Sequence, residues 1–423
     1  MPQQLWAGVD AGKSEHHCVV LDTDGKRVLS RRVANDEATL GELISAVTTI
    51  ADGGELTWAI DLAGGGAALL ITLLLDAAQR LLYIPGRSVY YASGSYRGDA
   101  KSDAKDAAVI ADQARMRRDL QPLRAGNEIT VELRILTARR ADLVADRTRA
   151  INRLRAQLGE YFPALERAFD YSNNKAALIL LTGYQTPDAL RRAGAARLAA
   201  WLRKRKARKA EAVAAAALKA AHAQHTVVAG QQLAAAMVAR LAEEVITLDT
   251  EIADTETMIE ERFRRHRHAE IILSMPGFGV ILGAEFLAAT GGDMGAFDSA
   301  DRLAGICGLA PVPRDSGRIS GNLKRPRRYH CRLLRTCYLA AQSAAQTDPA
   351  SRAYYERKRG RQTPPTSGPC FSPATPQRPV GHAARPHLIP NLNRHSGLTN
   401  PLRIDSAEFV GWYREDCGPG QRW

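Results

Sequence analysis

Short apolar blocks alternate with amphipathic stretches along the first part of the chain. Leu5–Asp10, His16–Asp22, Lys26–Val33, Glu55–Asp61 and Leu81–Pro85 have the length and side-chain content of β-strands. Asp24-Gly25 lies between the second and third as a hairpin turn, so the first three strands form an antiparallel meander. Helical periodicity covers Asp36–Thr49, Gly66–Gln79 and Asp103–Arg117, with Asn35 or Asp36 placed to cap the first. The pattern predicts an α/β domain over residues 1–125.

From Val131 to about Arg267 the period becomes helical throughout. Leu133, Leu136, Leu143, Ile151, Leu154 and Leu158 share one side of a long helix. Leu241, Val245, Leu248, Ile252 and Ile259, with Thr255 in one slot, keep heptad spacing. An antiparallel helical pair of coiled-coil type is expected over 126–268, with a smaller insert between Phe162 and Gly230. Residues 269–359 read as a third, mainly helical unit. After Gly360 the apolar period is lost and ten of the 20 prolines occur, so 360–423 is expected to be disordered or the product of a reading-frame slip.

At 423 residues there is material for two or three cores. A formal net charge of +13 points to a polyanionic partner, because cations that neutralise phosphates release counterions. The chain shows no signal peptide, and the apolar run 67–77 is too short to span a bilayer, so a membrane partner is not expected and a cytoplasmic, nucleoid-associated location is. Six scattered cysteines form no CxxC pair and read as buried thiols. Of His16 and His17, adjacent on a strand, one faces in and one out.

The candidate chemistry starts at Asp10 and Asp61, each closing an apolar strand, and at Asp103 and Asp106, three apart on one helical face. Taken singly each could be a cap or a solvated charge. Taken together, four gathered carboxylates call for a hard divalent cation, Mg2+ first. Asp99 is the nearest rival for the third position. Three antiparallel strands followed by strand–helix alternation is the order of a ribonuclease H-like domain, in which the first and fourth strands are neighbours; Asp10 and Asp61 would then lie side by side. A P-loop reading of Gly8–Ser14 fails, since the pattern needs glycine where Ala7 stands and Asp10 would face phosphate.

Further on, Ser274–Val280 followed by an apolar stretch suits a helix-hairpin-helix, with Gly277 and Gly279 in a turn whose N–H groups can meet a phosphate, or an ordinary turn between core helices. Arg314–Asn322 is a glycine-flanked loop around Ser316, bordered by Arg318, Lys324, Arg325, Arg327 and Arg328. By residue type alone Ser316 is better read as a hydroxyl of a polar surface loop, capping the following turn. Further cations stand on the first long helix at Arg134, Arg139, Arg140, Arg147, Arg149, Arg153 and Arg155, and in the insert at Arg203, Lys204, Arg205 and Lys206.

Gly8–Lys13, Lys101–Ala107, Pro276–Gly279 and Gly308–Pro311 through Asp315-Ser316-Gly317, in order and at sensible spacing, resemble the insertion-sequence-110 family of bacterial transposases over most of residues 5–359. The resemblance implies a RuvC-like domain with Mg2+ (a two-metal or shared site, Mn2+ also compatible) on Asp10, Asp61, Asp103 and Asp106, and a C-terminal domain with Ser316 as nucleophile. Asp61 stands where the family has glutamate, one methylene longer. The resemblance further implies cleavage and rejoining of DNA strands at element ends and target, guidance by a structured bridge-type RNA, and a homotetramer built as a dimer of dimers. A metal-dependent junction-resolving nuclease using water, and an inactive element product that only binds nucleic acid, remain the alternatives.

Overall fold

The structure, a computed structural model, describes residues 4–96, 102–123, 128–292, 294, 297, 299–318, 321, 323–324, 326 and 329–360. Asp99, Arg325, Arg327, Arg328 and the proline-rich stretch after Gly360 lie outside the described residues. The chain divides into two compact units, Met1–Gly126 and Asn127 onward.

The first unit is mixed α/β. Strands β1 (Leu5–Ala11), β2 (Glu15–Leu21), β3 (Arg27–Ala34), β4 (Leu56–Ile60), β5 (Arg80–Tyr83) and a two-residue edge strand β6 (Gln121–Pro122) form one sheet in the order β3-β2-β1-β4-β5-β6. β1, β2 and β3 are antiparallel neighbours, as the Asp24-Gly25 turn requires, whereas β4 and β5 run parallel to β1. Helices α1 (Glu37–Ala51), α2 (Ala68–Asp76), α3 (Gly86–Ser93) and α4 (Asp103–Met116) complete it. Asp36, not Asn35, caps α1 by accepting from the Thr39 N–H. Asn35 instead donates from Nδ2 to the carbonyls of Lys13 and Gly66, tying two loops together. The expected Gly66 helix is shorter at both ends, opening with a 3-10 turn at Gly65–Ala67. Helix α3 was not anticipated; Pro85 and Gly86 masked it as a loop signal.

Strand alternation sorts the side chains. Leu5, Ala7 and Val9 join Cys18, Val20, Trp58 and Ile60 under α1 and α2. Trp6 and Ala59 join Val109, Ile110 and Ala114 of α4 on the opposite face. Helix α4 comes very close to the sheet: a β-carbon on Gly8 would stand 2.3 Å from the Ala107 carbonyl oxygen and 2.3 Å from the Ala111 nitrogen. Only glycine allows that approach, and small residues at 107 and 111 complete it.

The second unit is helical: α5 (Glu128–Tyr161), α6 (Pro163–Ala168), α7 (Lys175–Gly183), α8 (Pro187–Lys204), α9 (Ala210–His222), α10 (Gln231–Arg264), α11 (Ala269–Leu273), α12 (Val280–Thr290), α13 (Ala300–Ile306), α14 (Cys331–Thr347) and α15 (Pro349–Gly360). A two-stranded ribbon, β7 (Val312–Pro313) with β8 (Leu323–Lys324), interrupts it. Ion pairs Glu132–Arg262 at 2.9 Å, Arg140–Glu256 at 2.7 Å and Arg147–Asp249 join α5 to α10 with one number rising as the other falls, so the two helices pack antiparallel. Ile151, Leu154 and Leu158 of α5 meet Val238 and Val245 of α10 in one core. A separate core holds Ile259, Phe263, Phe278, Leu287 and Leu333. Of the cysteines described, Cys18, Cys307 and Cys337 are buried as expected, but Cys331 is exposed at the start of α14. No helix among the described residues is long and apolar enough to cross a membrane.

Candidate active site

Register builds the site. Asp10 pairs with His17 across β1 and β2, and His17 with Arg32 across β2 and β3. Val9 pairs with Ile60, which places Asp61 beside Asp10 one residue further on. Alternation then puts Asp61, Asp10, His17 and Arg32 in a row on the face that α4 covers. Ser102 caps α4 by accepting from the Lys105 N–H, so Asp103 and Asp106 stand in its first turn. The Gly8 contact seats α4 on β1, which brings that turn to the row.

The charges show which members meet. Ala11 N–H donates to Asp61 Oδ1 at 3.3 Å. Burial raises the Asp61 carboxyl above the usual carboxylate range, the Ala11 N–H opposes this, and the Asp106 charge adds to the rise. Tyr83, next to it, is raised by burial and by the Asp61 charge. Asp103 is turned the other way: its Oδ2 accepts from Arg32 at 2.9 Å, and Arg32 also lies 3.4 Å from Glu15. His17 Nε2 lies 3.0 Å from Ser30 Oγ, and burial, followed by the Arg32 charge, lowers its pKa. His16 is buried on the far face, so the expected split of the two histidines holds and only His17 joins the row.

Among the described residues no group of three or more His, Cys, Asp or Glu side chains is gathered closely enough to hold a metal ion as it stands. By register Asp10 and Asp61 are neighbours, the Asp106 charge acts on Asp61, and Asp103 is held by the Arg32 guanidinium. The donor set nonetheless fits a hard divalent cation. All donors are carboxylate oxygens, and a desolvated Asp61 beside the Asp106 charge is short of a positive partner. Arg32 and Glu15 were not singled out from the sequence, although the hairpin turn aligns Arg32 with His17 and Asp10.

Ser316 lies in the exposed stretch between β7 and β8, with Asp315 and Arg318 also exposed, as is Lys324 on β8. In the Ser274–Val280 turn, Gly277 has φ +80° and a β-carbon there would stand 2.0 Å from the Ala340 carbonyl oxygen, so this side of the turn packs against α14. Gly279 is exposed at the start of α12 with nothing within 4 Å of such a carbon.

The long-helix cations are largely engaged. Arg139, Arg140 and Arg147 pair with Glu251, Glu256 and Asp249 of α10, Arg149 with Asp146, and Arg155 with Glu166. Arg134 and Arg153 have no carboxylate partner among the described residues. In the insert, Arg203 lies 3.6 Å from Glu211 and Arg205 stacks over Trp201 at 3.7 Å. Lys204 and Lys206 are exposed without such partners. Lys206 adopts the left-handed conformation with φ +56°.

Residues 7–163 match the DEDD-type transposase model of IS110, and residues 269–356 match the model of the IS116/IS110/IS902 transposase family. The chain is 74% identical over 359 residues to the 42 kDa protein of insertion element IS900 from Mycobacterium paratuberculosis, covering 85% of this chain and 90% of the relative. It is 50% identical to the 44.8 kDa protein of IS116 from Streptomyces clavuligerus, over 84% of this chain and 88% of the relative. With the 43.6 kDa protein of IS110 from Streptomyces coelicolor it shares 35% identity over the same fractions.

Proposed function

Since the chain belongs to the IS116/IS110/IS902 family of transposases, we propose that it moves an insertion sequence by cutting and rejoining DNA with a serine nucleophile and a carboxylate-held metal. The observation that carries this reading is the row at the sheet end: two strand-terminal aspartates side by side by register, with the Asp61 carboxylate accepting from the Ala11 N–H and feeling the Asp106 charge. The strand order, with β1 central between an antiparallel hairpin and parallel β4, supports a ribonuclease H-like, RuvC-like assignment. The antiparallel α5–α10 pair supports the coiled-coil assignment.

Asp10, Asp61 and Asp106 would hold Mg2+ or Mn2+, with Asp103 joining once it leaves Arg32. The cation would supply Lewis-acid stabilisation of charge on the phosphate. Ser316 Oγ attacks phosphorus, forming a seryl phosphodiester as the bond to the leaving sugar oxygen breaks; the hydroxyl proton ends on that oxygen. Serine is a weak nucleophile at neutral pH, so the attack depends on a partner that takes up its proton. The proposal requires that the aspartates and Ser316 act on one phosphodiester, and it takes the acting assembly to be a homotetramer. Arg134, Arg153, Lys204 and Lys206, without a carboxylate partner among the described residues, are the first grips on DNA or on a guiding structured RNA, with Arg203 and Arg205 beside them. Arg139, Arg140, Arg147, Arg149 and Arg155 would contribute only by exchanging a carboxylate for a phosphate. Gly279, Arg318, Lys324, Arg325, Arg327 and Arg328 would add contacts to the nucleic-acid backbone, with Gly277 shaping the turn.

Incubation with Mg2+, guide RNA and labelled element-end DNA, followed by denaturing electrophoresis, tests the reading. The chain should form a covalent protein–DNA adduct and Ser316→Ala none. Cleavage undiminished in Ser316→Ala would identify a nuclease using water; binding without cleavage by the native chain would identify an inert binder.

A further inference from the structure

The carboxylate end of the sheet has a second neighbour. β5 continues through buried Ile84, whose N–H donates to the Ile60 carbonyl at 3.0 Å, into α3. A β-carbon at Gly86 would stand 3.7 Å from Asp61 Oδ2, so α3 begins beside that side chain. Val89 anchors the helix in the core shared with Val109 and Ile110 of α4. On the outward side stand Tyr90 and Tyr91, 74% and 60% exposed, their ring centroids 5.6 Å apart and the planes at 70°. Among the large, exposed hydrophobic side chains described, these are the two aromatic ones. Arg87 lies three and four residues earlier, hence on the same face, exposed and without a carboxylate partner among the described residues.

Adjacent exposed aromatic rings, on one helix with an exposed cation and near Asp61, have the composition of a nucleotide grip. A guanidinium meets a phosphate, while a ring face takes a base whatever its identity. A base inside a duplex is covered on both faces by its neighbours, so the ring can accept only an unpaired one. We propose that Arg87, Tyr90 and Tyr91 form a platform for single-stranded DNA, which stacks an unpaired base beside Asp61 while Arg87 holds the adjoining phosphate. This rests on the reading that DNA is cut at the carboxylate cluster.

The test uses the full chain in EDTA, where no cutting occurs, with fluorescein-labelled oligodeoxythymidine and a duplex of equal length, read by anisotropy. Tyr90→Ala with Tyr91→Ala should weaken single-strand binding roughly tenfold, in line with the loss of a stacked base, and change duplex binding less than about twofold. The double Phe variant should bind as the native chain does, since stacking needs no hydroxyl. Arg87→Gln should reduce the salt slope for the single strand by about 0.7, the share of one phosphate. Tyr90→Trp keeps the fold independent of the alanine variants and should show fluorescence quenched by the single strand and not by the duplex. Equal losses on both DNAs, a Phe pair as weak as the Ala pair, an unchanged salt slope, or no single-strand quenching would each overturn the platform. Because this assay needs neither metal nor Ser316, its failure leaves the adduct result standing, and the reverse.

Discussion

Replacing Gly8 by Ala adds one methyl where the sheet and α4 touch. That carbon would sit 2.3 Å from the Ala107 carbonyl oxygen and from the Ala111 nitrogen, and 2.8 Å from the Ala111 Cα. All three are backbone atoms, so no side chain can rotate away. Restoring ordinary contact near 3.5 Å requires α4 to lift by roughly 1 Å. Overpacking of this kind costs about 1–3 kcal/mol, which lowers Tm by roughly 5–15 °C in a unit of this size. The same lift carries Asp103 and Asp106 away from Asp10 and Asp61, so metal affinity should fall together with stability. Gly41→Ala on α1 is the matched control, because its β-carbon meets nothing within 4 Å. Alanine there should leave Tm unchanged or raise it, as its helix propensity exceeds that of glycine by up to about 1 kcal/mol. Differential scanning fluorimetry and Mn2+ titration calorimetry read both quantities. If Gly8→Ala melted and bound metal like the native chain, α4 could not be seated on β1 as described.

The Asp61 carboxyl is raised in the folded chain by burial, with the Asp106 charge adding to it, so the fold gives up stability as pH rises from the ordinary carboxylate range through the raised value. Without metal at neutral pH, Asp61→Asn should therefore melt higher than the native chain, with the difference vanishing in acid; a lower Tm at neutral pH would contradict the shift. Arg32→Gln removes the cation that holds Asp103, which is 57% exposed in that pair, so Tm should change by less than about 1 kcal/mol equivalent. Calorimetry should show Mn2+ binding tighter by up to about fivefold, the same energy expressed as a ratio, and weaker binding would show that Arg32 supports the site instead of competing for it.

Strands and long helices were legible because each rests on a strong local signal. The Asp24-Gly25 turn sets the β2–β3 register, and the leucine stripe of α5 commits that helix to α10. Asp10 and Asp61 could be placed side by side from the same logic, because strand ends align once the parallel pairing of β1 with β4 is assumed. The orientation of Asp103 could not, since a guanidinium 71 positions earlier decides it. The pairing of Arg139, Arg140 and Arg147 with α10 was equally hidden, because a helix read alone shows its basic side without the acidic partner that covers it. Helix α3 escaped because Pro85-Gly86 signals a turn, while its anchoring comes from Val89 against α4, a contact distant in sequence.

Crystals of the chain soaked in Mn2+ and measured at the manganese absorption edge would locate the cation by anomalous scattering. A peak between the carboxylates of Asp10, Asp61 and Asp106, absent from crystals of Asp10→Asn, is the expected result. No peak there under saturating Mn2+, or a peak bound elsewhere that survives Asp10→Asn, would contradict the assignment of this sheet end as the place where metal and scissile DNA meet.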